Sequence, residues 1–253
     1  MKKLIIANWK ANPESIGKAE ILAKETEAAI PALKNAEVVI APPFPFLHSI
    51  GSLLARAQLG AQDVWGTGGP YTGMVSARQL KSMGVAYVIV GHSERRIHAG
   101  ETDAMIQKKL SAVLEHGLKP VLCIGERQRQ GSEIPAIAGE QLSAALAGIK
   151  KEMLRRLTVA YEPVWAISTT SVASGATTPD GAFRARIYIE KLLVSLFGAR
   201  AAREARIIYG GSVTPDNVLA FLTEGAMDGA LVGGASLDPK KFGEIVSSAA
   251  EIA

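Results

Sequence analysis

Short apolar runs alternate with longer stretches of three- and four-residue apolar spacing, eight times along the chain. The runs are Lys3–Ala7, Glu37–Ala41, Leu59–Gln62, Ala86–Val90, Pro120–Ile124, Thr158–Tyr161, Arg206–Tyr209 and Gly229–Val232. They are rich in Val, Ile and Leu and lack clean alternation, as strands buried on both faces require. Between them, Ile21, Leu22, Ala28 and Ile30, then Ile106, Leu110, Val113 and Leu114, then Ile187, Leu192, Leu193 and Leu196 fall at helical spacing. Thr178-Pro179, Thr214-Pro215 and Asp238-Pro239 each put a capping oxygen before a proline suited to the first helical position. Gly84, Gly117 and Gly198 stand where helices should stop. Strand-then-helix without a break implies an α/β fold with a parallel sheet and crossover connections. Eight units in 253 residues fit one closed (β/α)8 barrel spanning 1–253, ringed by helices, better than an open doubly wound sheet.

Composition narrows the partners. Lys and Arg exceed Asp and Glu by 28 to 24, with no basic block and only 6% aromatic residues, so a nucleic-acid partner is not expected. No apolar run approaches the ~18 residues of a membrane span. Met1-Lys2-Lys3 followed by Leu4-Ile5-Ile6-Ala7 imitates the start of a signal peptide, but Asn8, Trp9 and Lys10 cut the apolar stretch short. Cys123 is the only cysteine, which suits a reducing compartment, and the expected localisation is cytoplasmic.

The longest loops, Asp63–Val75, Gly125–Pro135 and Glu162–Thr178, all follow strands and open on the C-terminal mouth, where such barrels keep their sites. That mouth collects Asn8-Trp9-Lys10, the segment from Gly91 to Arg96, the segment from Tyr161 to Trp165, and the glycine pairs Gly210-Gly211 and Gly233-Gly234. One glycine pair alone reads as a tight turn. Two at neighbouring strands, each shortly before a helix start, read better as a phosphate grip. Glu162 alone could be a surface or capping acid, and His92 a structural histidine. Facing one mouth, they form a base and a carbonyl-polarising imidazole, with Lys10 as fixed positive charge. No ligand-spaced His, Cys and carboxylate cluster and no dinucleotide fingerprint is present, so neither metal nor cofactor is expected.

The segments Gly91-His92-Ser93-Glu94-Arg95-Arg96, Tyr161-Glu162-Pro163-Val164-Trp165-Ala166-Ile167 and Tyr209-Gly210-Gly211-Ser212-Val213 resemble those of the triosephosphate isomerases, over essentially the whole chain. The resemblance implies interconversion of dihydroxyacetone phosphate and D-glyceraldehyde 3-phosphate through an enediolate, in glycolysis and gluconeogenesis. It implies Glu162 as the base, neutral His92 as the proton shuttle between the oxygens, Lys10 as the oxyanion partner, Asn8 as a substrate contact and Glu94 as an active-site acid near Lys10. Phosphate would meet the N–H groups of Ser168, Ser212, Gly233 and Gly234. Cys123 and Glu126 match positions just behind the site, and Cys123 reads equally as a small buried apolar residue. Pro163, Val164, Trp165, Ala166, Ile167 and Thr169 would belong to a lid. Its tip departs from the family: Ile167-Ser168-Thr169-Thr170 replaces Ile-Gly-Thr-Gly, within a longer stretch, so altered closing kinetics are expected. Tyr71-Thr72-Gly73 matches the interdigitating loop of a homodimer. Met74 stands where a glutamate usually pairs with an arginine like Arg95 across the subunits, so that ion pair would be missing. The rival readings are a sugar-phosphate epimerase or aldolase, and a barrel that binds phosphorylated ligands without catalysis.

Overall fold

Each apolar run becomes a strand in the computed structural model, which describes residues 1–129, 133–166 and 177–252. The strands are β1 (Lys3–Asn8), β2 (Ala36–Ala41), β3 (Gln58–Ala61), β4 (Tyr87–Val90), β5 (Lys119–Ile124), β6 (Thr158–Tyr161), β7 (Arg206–Tyr209) and β8 (Gly229–Val232). They pair in chain order, all parallel, and β1 closes on β8 with Leu4 opposite Gly229. The boundaries differ from the expected ones by a residue or so. Asn8 stays in β1, whereas Gln62 falls just beyond β3.

The reason the runs lack polar alternation is visible in two separate cores. Leu4, Ile6, Val39, Ile89, Val121, Cys123, Ala160, Ile208 and Leu231 fill the barrel interior. Ile5, Ala7, Val38, Ile40, Val88, Leu122, Val159 and Ile207 point outward into the helix layer. Alternate residues therefore face different apolar environments, and no strand needs a polar face.

Thr178, Thr214 and Asp238 are N-caps with proline next, as expected. Gly84, Gly117 and Gly198 have φ of +80°, +74° and +82°, the left-handed geometry that ends helices. Two helix faces match the expected ones only in part: Leu22, Ile30 and Leu193 are buried and Leu192 packs against the core, whereas Ala28 is exposed. The helix Ile16–Ala29 buries Ala19, Leu22, Ala23 and Thr26, while Ile21 is exposed. The helix Pro179–Phe197 buries Ala182, Ala185, Ile189 and Leu193, leaving Leu196 exposed. Alanines share each inner face with Leu22, Ile189 and Leu193, so the size of an apolar side chain does not by itself mark that face.

The N-terminal end of the barrel is plugged by polar side chains from the starts of five strands. Glu37 accepts from the Tyr87 hydroxyl and Gln58 Nε2, each at 2.7 Å, and from Lys119 Nζ at 3.2 Å; Arg206 Nη1 lies 2.7 Å from its other oxygen. Burial pushes the Glu37 carboxyl upward, but the Tyr87 hydroxyl and the Arg206 and Lys119 cations outweigh it and hold the carboxyl down at about 2. A carboxylate depressed on folding stabilises above its ordinary pKa and loses that contribution as pH falls through the folded value. Glu37→Gln should therefore cost about 3 kcal/mol at neutral pH by leaving Arg206 underpaired. In denaturant titrations the gap to wild type should narrow as pH drops from about 4.5 towards about 2. A gap independent of pH over that window would contradict the assignment.

Candidate active site

At the C-terminal mouth, Asn8, Lys10, His92, Ser212, Gly233 and Gly234 line a cavity of about 480 Å³, whereas Glu162, Cys123 and Glu126 line a second cavity that is reached from His92 through the contact to Glu162. Lys10 sits one turn of chain beyond β1 with φ +53°, a conformation that costs energy for a side chain with a Cβ. Hydrogen bonds on both sides hold it there. Asn8 Oδ1 accepts from the Lys10 N–H at 3.1 Å, and Gln62 Nε2 donates to the Lys10 carbonyl at 2.8 Å. The Lys10 ammonium lies 2.5 Å from Glu94 Oε1, so Glu94 pairs with Lys10 and not with its sequence neighbours Arg95 or Arg96.

His92 lies two residues beyond β4 and caps the short helix Ser93–His98; its Nδ1 accepts from the Glu94 N–H at 3.2 Å. A ring nitrogen that accepts carries no proton, so the proton sits on Nε2 and the imidazole is neutral. Nε2 in turn lies 3.2 Å from Glu162 Oε1.

Glu162, one residue past β6, is 1% exposed. The Ser93 N–H donates to its Oε2 at 3.0 Å, while Oε1 has no well-aligned hydrogen-bond donor. One oxygen is thus anchored and the other is free beside the histidine. Two glycines make room for this residue. A methyl group on Gly125 would lie 1.8 Å from the Glu162 carbonyl oxygen, and one on Gly210 would lie 2.9 Å from Glu162 Cγ. The Gly210-Gly211 pair is therefore demanded by packing as well, since a methyl on Gly211 would meet the Tyr209 hydroxyl at 2.2 Å. At β8 the situation is different. Nothing lies within 4 Å of where a Gly234 side chain would start, which leaves that backbone open to the cavity.

Cys123 is fully buried inside the barrel, and burial together with the adjacent Glu162 carboxylate pushes its thiol well up, so it is not a nucleophile. Glu126 accepts through Oε1 from the Tyr161 hydroxyl at 2.7 Å and from Trp165 Nε1 at 3.0 Å. It thereby ties β5 to the short turn Val164–Ala166 that follows Pro163, where the lid is expected to begin. Burial and Glu126 together push the Tyr161 hydroxyl up. Ile167, Ser168 and Thr169 lie outside the described residues.

Of the loop Asp63–Val75, Tyr71 is 45% and Met74 50% exposed, with Thr72 and Gly73 between them. Arg95, expected to lose a partner to Met74, is paired within the chain: it reaches Asp63 Oδ2 at 2.8 Å and Glu101 Oε1 at 2.5 Å. Buried Lys109 bridges the same two carboxylates at 2.6 and 2.5 Å. Two acids and two bases balance, and no bare cation is left behind. Gln62, Ser93 and Gln141 were not singled out in the sequence. Gln62 donates to the Lys10 and Ala41 carbonyls, the Ser93 N–H to Glu162, and Gln141 pairs with Gly125; no residue spacing announces such contacts.

Comparison with known proteins agrees with this geometry. The family model described as triosephosphate isomerase matches residues 3–249. The chain is 42% identical to the triosephosphate isomerase of Symbiobacterium thermophilum over 256 aligned positions, covering 98% of this chain and 97% of that protein. It is 41% identical to that of Caldanaerobacter subterraneus subsp. tengcongensis, covering 98% and 100%. With that of Dictyoglomus turgidum it shares 39% identity, covering 98% and 99%. With the barrel, the strand-end residues and these likenesses all in agreement, the chain belongs to the triosephosphate isomerase family.

Proposed function

We infer that this chain interconverts dihydroxyacetone phosphate and D-glyceraldehyde 3-phosphate, with Glu162, His92 and Lys10 carrying the chemistry. The observation that supports this most is the buried Glu162 carboxylate, whose Oε1 has no aligned donor and lies 3.2 Å from a neutral imidazole. Glu162 takes the proton from the carbon beside the carbonyl and returns it to the neighbouring carbon. His92 donates from Nε2 to the carbonyl oxygen and shuttles protons between the two oxygens. This enzyme is itself the standard example of such a neutral histidine, so that role is inherited from the family. The Lys10 ammonium faces the developing oxyanion, and Glu94 holds it at the mouth. Asn8 contacts substrate and supports the Lys10 backbone.

The phosphate is held by N–H groups of Ser212, Gly233 and Gly234, which line the cavity, and the family resemblance assigns a fourth to Ser168, outside the described residues. Behind the site, Glu126 anchors Trp165 and Cys123 packs against Glu162. Substitution of Glu162, argued in the Discussion, tests the assignment.

The working unit is a homodimer, joined by the loop that presents Tyr71 and Met74. Both side chains are exposed in the single chain, and a second copy would bury them without needing an ion pair at Met74. Sedimentation at micromolar concentration should give a dimer for wild type. The Met74→Asp variant, which forces an unpaired charge into the contact, should dissociate at least about tenfold more readily. A monomeric wild type would contradict this assembly. A reducing cytoplasm suits the single, buried Cys123.

A further inference from the structure

The backbone of Glu162 rests on a peptide that the strand ladder does not hold. β5 and β6 pair as far as Ile124 with Tyr161, and the Glu162 N–H then closes on the Ile124 carbonyl at 2.8 Å. Gly125 lies one residue further on. Both of its polar groups are taken by one side chain: Gln141 Oε1 accepts from the Gly125 N–H at 2.9 Å, and Gln141 Nε2 donates to the Gly125 carbonyl at 3.2 Å. Gln141 comes from the middle of the helix Ala136–Ala145 and is itself buried. With Cys123, Gly125, Glu126 and Glu162 it lines the second cavity, of about 650 Å³, separate from the one lined by Lys10 and His92.

The contact between Gly125 and Glu162 has no slack, since a methyl on Gly125 would lie 1.8 Å from the Glu162 carbonyl oxygen and 3.2 Å from its Cα. The next residue continues the same brace. The Glu126 carbonyl accepts from the Val164 N–H at 3.0 Å, and the Glu126 carboxylate accepts from Trp165 Nε1. One short segment, Gly125-Glu126, therefore supports both the Glu162 backbone and the first residues of the lid. Gln141 is what ties that segment to the helix layer.

We propose that Gln141 is a positioning residue for proton transfer: by holding both polar groups of Gly125, its side-chain amide sets where Glu162 presents its carboxylate. This rests on Glu162 being the base. A primary amide sets an N–H donor beside a C=O acceptor in one plane, which is what a peptide N–H and C=O side by side require. A protonated carboxylic acid offers the same pair, whereas an ionised one only accepts.

That difference supplies the test. The Gln141→Met variant keeps the volume and loses both bonds; it should fold, with KM and inhibition by inorganic phosphate within about threefold of wild type. Its kcat should fall about ten- to a hundredfold, as expected for a displaced reacting group. In the Gln141→Glu variant, burial and the neighbouring carboxylates push the new carboxyl upward. Its kcat relative to wild type should rise as pH falls, while the Gln141→Met ratio stays flat. A Gln141→Met kcat within twofold of wild type would overturn the proposal, and so would parallel pH dependence of the two ratios. If Gln141→Met fails to fold, the Gln141→Glu ratio alone decides. Glu162→Gln run alongside separates the two claims: activity surviving there sinks the base assignment, whereas inactivity there with full activity in Gln141→Met sinks only this proposal.

Discussion

Replacing Glu162 by Gln should lower kcat about ten-thousandfold while leaving the fold intact. The amide has the same shape, and its oxygen can still accept from the Ser93 N–H that anchors Oε2 at 3.0 Å. What it cannot do is take a proton. Neighbouring groups do not replace it: the Cys123 thiol is pushed well up by burial and by Glu162 itself, and neutral His92 has its Nδ1 lone pair occupied by the Glu94 N–H. Glu162→Asp keeps the base but withdraws it by one methylene, and should cost about a hundredfold. Steady-state kinetics on both variants, with thermal melts to verify folding, would check this. A Gln variant within tenfold of wild type would mean that another group moves the proton.

The second large effect is expected at Lys10. Lys10→Met preserves the length of the side chain and removes its charge, and kcat/KM should fall about a thousandfold. The protein invests strain in placing this ammonium: φ is +53°, clamped by Asn8 from one side and Gln62 from the other. Glu94, 2.5 Å away, holds it at the mouth. As negative charge builds on the substrate oxygens, the fixed cation answers it without reorganising. A loss smaller than tenfold would show that Lys10 serves only to hold Glu94 and the loop.

The barrel was legible because its strands need apolar residues on both faces, so eight apolar runs survive as eight strands with shifts of about a residue. Helix faces were less legible. The inner face of Ile16–Ala29 is made by Ala19, Ala23 and Thr26 beside the expected Leu22, so small side chains mark it as much as large apolar ones do. Glu162, His92 and Lys10 could be found because a parallel barrel brings strand ends together wherever they lie in sequence. Gln62 and Gln141 could not, because side-chain amides are selected by the exact peptide groups they meet. The double role of Gly210 was hidden for the same reason. Its missing Cβ leaves room for Glu162, a residue 48 positions earlier in the chain.

The most direct test of the central claim is to follow D-glyceraldehyde 3-phosphate by NMR after adding the purified, chelator-treated protein. The predicted result is conversion to dihydroxyacetone phosphate with no added metal or coenzyme, reaching the same equilibrium mixture from either triose. An epimerised or cleaved product, dependence on a restored metal, or no reaction by the folded protein would contradict it.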